Sequence, residues 1–222
     1  MITSLIILCI IFDLGYLYFG KKNKNYLALF SKTFAALCFI IIGYMSLKIN
    51  ESSFALGIFI GMLFDGVGDF LLAIRNINHS KRWFIIGGFS FLIGHILYIS
   101  SELDVAFSIK KDSMYLFILL GILLGLCSMF IILKICNVSK AYKIFGHIYA
   151  PAIFCVFTLA LYTYLNFNIL ANLVFLIGAA MFVSSDMILI INNFGMKKKW
   201  MHPTYSLLYF VGQLMIACSL HI

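Results

Sequence analysis

The chain has 222 residues, of which 64% are hydrophobic and 11% charged, with a formal net charge of +8 and a mean hydropathy of +1.07. Water-soluble globules use nearer half apolar and a quarter charged residues, so this composition excludes one and calls for lipid as the solvent. The surplus of lysine and arginine then reads as membrane topology and attraction to anionic lipid, with no nucleic-acid partner.

Apolar runs long enough to cross about 30 Å of hydrocarbon recur from end to end. Two prolines and few polar tracts leave no room for a linker. The expectation is an all-α membrane protein, one polytopic domain over residues 1–222. Eight transmembrane helices are predicted at 2–19, 28–47, 53–74, 84–101, 114–133, 144–164, 169–191 and 204–221. The first stretch has no basic residue ahead of its apolar core and no small-residue cleavage site, so it is expected to stay as a span. The second span carries Lys32 near its start and the sixth contains Pro151, a residue that membrane helices tolerate. Cys9, Cys38, Cys127, Cys136, Cys155 and Cys218 are scattered singly, without metal or disulfide spacing, and are expected to pack as small residues.

Basic residues gather in alternate connections. Lys21, Lys22 and Lys24, then Arg75, Lys81 and Arg82, then Lys134, Lys140 and Lys143, then Lys197, Lys198 and Lys199 occupy loops one, three, five and seven. The even loops hold Lys48, Lys110 and Lys111 beside Glu51, Glu102, Asp104 and Asp112. The positive-inside rule therefore predicts cytoplasmic odd loops and both termini outside.

The chain also echoes itself. G-D-F-L-L-A-I-R-N at 68–76 aligns with S-D-M-I-L-I-I-N-N at 185–193, and F-L-I-G-H-I-L-Y at 91–98 with Y-F-V-G-Q-L-M-I at 209–216. The third and fourth spans thus resemble the seventh and eighth, an offset of four spans that corresponds to two parallel four-helix repeats. The first pair of spans shows no visible echo in the fifth and sixth.

Polar groups collect at one depth. Asp65 and Asp69 lie one turn apart on the same face of the third span, beside the small-residue stripe of Gly57, Gly61 and Gly68. Asp186, flanked by Ser184 and Ser185, sits as far from the inner end of its span as Asp69 does, and Asp13 has a similar depth. His95, Tyr205, Tyr209 and Gln213 reach the same layer from outward-running spans. Each aspartate at mid-membrane costs about 2.5–3.5 kcal/mol on insertion scales, which favours a functional reading of Asp69 and Asp186 over mere helix-to-helix hydrogen bonds. Two nearby carboxylates in a low-dielectric layer are expected to share one proton, giving an acid and a base from identical side chains. Asp65, Asp13, His95, Ser185, Tyr209 and Gln213 are candidate supporting or substrate-binding groups. No metal-ligand pattern such as H-x-x-x-H occurs and no cofactor is expected.

The series G-D at Gly68 and Asp69, G-H at Gly94 and His95, S-D at Ser185 and Asp186, and Y-x-x-x-Q from Tyr209 to Gln213 resembles the lysoplasmalogenase or YhhN-like membrane proteins in order and spacing. The resemblance implies hydrolysis of the vinyl ether bond of a lysoplasmalogen, to a fatty aldehyde and a glycerophospho-base, with Asp69 and Asp186 as the paired aspartates. It implies a lysophospholipid partner and placement in a bacterial inner membrane. Paired carboxylates suit this chemistry, because the β-carbon must be protonated and the resulting oxocarbenium ion captured by water. A proton-coupled transporter or lipid carrier is the alternative that midplane acids in parallel repeats leave open, and a metal-dependent lipid amidase or phosphatase is a third.

Overall fold

The structure is a computed structural model that describes residues 1–78, 80–109, 113–136 and 138–222, with Lys81 described by its backbone alone. The topology expectation for Lys110, Lys111 and Asp112, and for the Lys81 side chain, lies outside the described residues. Among those described the elements are eight helices and no strand: α1 (Ile2–Lys21), α2 (Asn25–Ile49), α3 (Ser53–Asn78), α4 (Lys81–Ile109), α5 (Met114–Ile135), α6 (Lys140–Phe167), α7 (Leu170–Phe194) and α8 (Met201–Ser219). Each matches a predicted span.

Seven of the eight, α1 to α7, are long and apolar enough to cross a membrane, which makes the chain an all-α integral membrane protein. The exception is α8, whose hydropathy is lowered by His202, Pro203, Thr204, Tyr205 and Ser206 at its start and by Gln213 further along. It is no outlier in packing, since Ser206, Tyr209 and Gln213 are all buried against its neighbours. Helix α4 also corrects the expectation. It runs well beyond residue 101, and Glu102, assigned from sequence to an even loop, is buried and accepts a hydrogen bond from Thr163 Oγ1 on α6 at 2.7 Å.

Consecutive helices pack as four hairpins, α1 with α2, α3 with α4, α5 with α6 and α7 with α8. The contacts of α2 with α3, α4 with α6, α6 with α7 and α8 with α2 join six helices into a closed ring, in the order α2, α3, α4, α6, α7, α8. Helix α1 leans on α2 and α8 from outside, and α5 on α6 and α7. These two are the least buried of the seven apolar spans, and leucines such as Leu116, Leu119 and Leu123 on α5 are exposed, as lipid-facing surface demands.

The pairings of α2 with α3, α3 with α4 and α4 with α6 recur four helices later as α6 with α7, α7 with α8 and α8 with α2, and glycine allows close crossings in both halves. A Cβ on Gly61 would lie 3.1 Å from the carbonyl oxygen of Gly94, and one on Gly178 would lie 2.8 Å from that of Gly212. Gly61 and Gly178 are 117 positions apart, the same offset as Asp69 and Asp186. Both crossings therefore bring backbone against backbone at equivalent places, the close approach that small residues permit in membrane helices. Helix α6 accommodates Pro151 in the same manner, because Gly125 on α5 leaves room beside the ring.

Replacing Gly178 by alanine is expected to lower the thermal unfolding midpoint of the detergent-purified protein, with a destabilisation of about 1–3 kcal/mol from overpacking. Gly20→Ala, with nothing within 4 Å of the added carbon, is expected to leave the midpoint unchanged.

Candidate active site

The helices enclose a cleft lined by at least one residue from each of the eight and holding about 910 Å³ of space, its open mouth included. Most of its wall is apolar, contributed by Phe84, Phe91, Met129, Ile132, Phe145 and Phe194 among others. Asp69 from α3 and Asp186 from α7 both line it, so the two acids that the sequence placed at one depth do open onto one space. Each is held differently. Asp69, 1% exposed, accepts a hydrogen bond from Tyr209 Oη at 2.7 Å through Oδ2 and meets the Lys32 ammonium at 3.0 Å through Oδ1. Asp186 accepts a short hydrogen bond from Tyr149 Oη on α6.

Lys32 is the cleft-lining residue that sequence reasoning passed over. It entered only as a blemish in the second span, yet it is buried on α2 and forms the one ion pair among the described residues. A signal was present, since a lysine within an apolar helix has to find an anion, and Asp69 is within reach one hairpin later. Tyr149 was missed for a different reason, because tyrosines are common in membrane helices and its partner was not visible. The structure links the two omissions. Lys32 and Tyr149 are separated by 117 residues, as are Asp69 and Asp186, so each half presents a donor from its second helix to the aspartate of its third. The repeat therefore extends into the helix pairs in which no echo was visible. What persists between the halves is a position facing a carboxylate, while the residue type has changed.

Four of the expected supporting residues, Asp65, Gln213, His95 and Asp13, do not line the cleft. Asp65 does not line the cleft. It is wholly buried between α3, α4 and α8, where its Oδ2 accepts from Tyr98 Oη at 2.6 Å and from Gln213 Nε2 at 2.8 Å. Its Oδ1 has no hydrogen-bond partner and rests over Gly94, whose missing side chain makes the space: a Cβ there would come within 2.6 Å. Gln213 is consumed by this cluster and stays out of the cleft. In the second half the position equivalent to Asp65 is Phe182, whose ring packs edge-on against His95 and Tyr209, so Asp65 has no acidic counterpart. His95 is also outside the cleft, but its Nε2 lies 3.2 Å from Tyr149 Oη, which places it one hydroxyl behind Asp186. Asp13 is buried on α1 and accepts from Ser206 Oγ at 2.5 Å, touching the cleft only through that serine. Ser185 and Tyr209 do line the cleft, and Ser185 Oγ donates to the Tyr205 carbonyl at 2.7 Å, tying α7 to α8 beside Asp186. Ser184 instead bonds within its own helix, to the Ala180 carbonyl.

A family model described as the YhhN family matches residues 27–220. The chain belongs to the YhhN family. The match runs from α2 to the end of α8 and so takes in Lys32, Asp69, Tyr149, Asp186 and Tyr209, while α1 with Asp13 and Tyr16 precedes it. No curated protein matches the chain and no solved structure does. Among the described residues, the arrangement this YhhN protein offers to chemistry is a carboxylate paired with a cation and a second carboxylate that accepts from a hydroxyl, both at the wall of an apolar cleft.

Replacing Lys32 by methionine is expected to cost about 3–5 kcal/mol of stability, because it strands a buried carboxylate. The double variant Lys32→Met, Asp69→Asn is expected to recover most of that loss. Thermal or denaturant unfolding in detergent measures both, and equal losses in the single and double variants would dissolve the pair.

Proposed function

We propose that this YhhN-family protein is an intramembrane hydrolase of the lysoplasmalogenase type, which cleaves the vinyl ether bond of a single-chain alkenyl phospholipid to a fatty aldehyde and a glycerophospho-base. Family membership suggests that reaction class. The observation that carries the reading is that Asp69 and Asp186, from different halves of the ring, open onto one apolar cleft. The apolar wall of such a cleft suits an alkyl chain, with a few polar groups to fix its orientation.

The two carboxylates divide the work by their partners. Asp69 has the Lys32 ammonium beside it and serves as the anion, while Asp186, which has a hydroxyl and no ion-pair partner, carries the proton. In the first step Asp186 gives that proton to the β-carbon of the vinyl ether, and the ether oxygen shares the positive charge that develops on the adjoining carbon. Asp69 faces the oxocarbenium ion as its counter-charge, in the manner of paired carboxylates at glycosidic bonds. Water then adds to the cationic carbon and its proton passes to Asp186, which restores the acid. The hemiacetal collapses to aldehyde and alcohol. Tyr209 and Tyr149 hold the two carboxylates in place, and His95 buttresses Tyr149.

A second reading, a proton-coupled transporter or lipid carrier, draws on the pseudo-twofold arrangement of the halves around the cleft, which transporters also use. It calls for transmembrane substrate movement without product.

Aldehyde release from a lysoplasmalogen by purified protein in detergent is expected. Asp69→Asn and Asp186→Asn should each lower kcat by roughly 100-fold or more, the share that positioned acid and base groups supply. Undiminished turnover in both variants would end the proposed mechanism, and lipid flux in proteoliposomes with no aldehyde would favour the carrier.

A further inference from the structure

A second cavity opens at the end of the ring that holds the turn between α1 and α2, the end of α3 and the start of α8, with about 1,450 Å³ of space including its open side. Its wall is also largely apolar, with Leu17, Leu29, Ala73 and Pro203 among others, but it exposes more polar surface than the first. Lys21 and Lys199 line it together with His202, Asn25 and Asn76, and among the described residues no aspartate or glutamate does. Lys21 closes α1 and Lys199 lies in the connection between α7 and α8, so their convergence is a product of the fold.

The two cavities meet at one side chain. Tyr16 lines both, is 5% exposed, has the Lys32 ammonium 5.6 Å from its ring centre and shares a 3.2 Å hydrogen bond with His202 Nε2. An apolar slot thus adjoins a basic basin, with the Lys32–Asp69 pair beside the partition. In a single-chain glycerophospholipid the bond between tail and glycerol and the phosphate are likewise neighbours, three carbons apart. A molecule with its tail in the slot and its first ether oxygen near Asp69 brings its phosphate towards the basin.

Resting on the hydrolase reading for the position of the scissile bond, we propose that this basin is the phosphodiester-binding subsite of a lysophospholipid, with Lys21 and Lys199 as its cationic contacts and Tyr16 as the partition over which the glycerol lies. Lysine and amide donors without any competing carboxylate are the lining a phosphate needs. The alternative origin of these lysines, general attraction to an anionic membrane surface, applies equally to Lys140 and Lys143, which stand in the first turn of α6 and do not line the basin.

The test compares binding of a non-cleavable 1-O-alkyl lysophospholipid with that of the matching 1-O-alkylglycerol to the full-length protein in detergent. The phospholipid is expected to bind about tenfold more tightly, and the Lys21→Gln, Lys199→Gln double variant to lose that preference while binding the alkylglycerol as before. The Lys140→Gln, Lys143→Gln double variant, with the same change in net charge, should keep it. Equal weakening in both double variants, or no preference in the unaltered protein, overturns the subsite. Because no bond is broken in this assay, it is separable from the reaction: an intact preference with no aldehyde released from a lysoplasmalogen would remove the hydrolase and leave the subsite standing.

Discussion

A buried ammonium facing a buried carboxylate, Lys32 against Asp69, is the interaction around which the interior is organised. Neither group is tolerable alone in hydrocarbon, where each ionised side chain costs about 2.5–3.5 kcal/mol even by insertion scales. Held together at 3.0 Å and joined by the Tyr209 hydroxyl, they make a polar spot whose net charge is small and whose geometry is specified by α2, α3 and α8 at once. Closing the ring is what brings those three helices together, so fold and site depend on the same packing. Glycines at the α3–α4 and α7–α8 crossings allow the backbones to come close to one another.

The pseudo-symmetry explains why two carboxylates occur at all and why they differ. Each half delivers an aspartate from its third helix and a partner from its second. In one half that partner is a lysine and in the other a tyrosine. Duplicated positions with divergent partners turn two like side chains into unlike ones, which a catalytic acid and its counter-charge require. Asp65 follows the opposite course. Its equivalent became Phe182, and the remaining acid is sealed with Tyr98 and Gln213 away from the cleft, a polar tie between α3, α4 and α8.

Several features were legible because they are local. Hydropathy located all eight helices, since a span must satisfy its own backbone bonds and present apolar side chains over a definite length. The common depth expected for Asp69 and Asp186 from helical rise agrees with their opening onto one cleft, and the 117-residue offset was visible in G-D and S-D. The limits show at α8, which is less apolar than the other spans because its polar residues face the interior, and at Glu102, which looked like a loop acid and is instead buried against Thr163.

By itself, then, the sequence determined the solvent, the number and placement of helices, and the pair of acids at matching depth, all quantities that depend on composition and rise along one axis. Only the tertiary structure decided which polar group faces which. It assigned Lys32 to Asp69, Tyr149 to Asp186 and Asp65 to an enclosed cluster, and it set a basic basin beside an apolar slot at Tyr16. The physical reason is rotational: depth is read along a helix, but the neighbour of a side chain depends on how each helix is turned about its axis and which helices the closed ring makes adjacent.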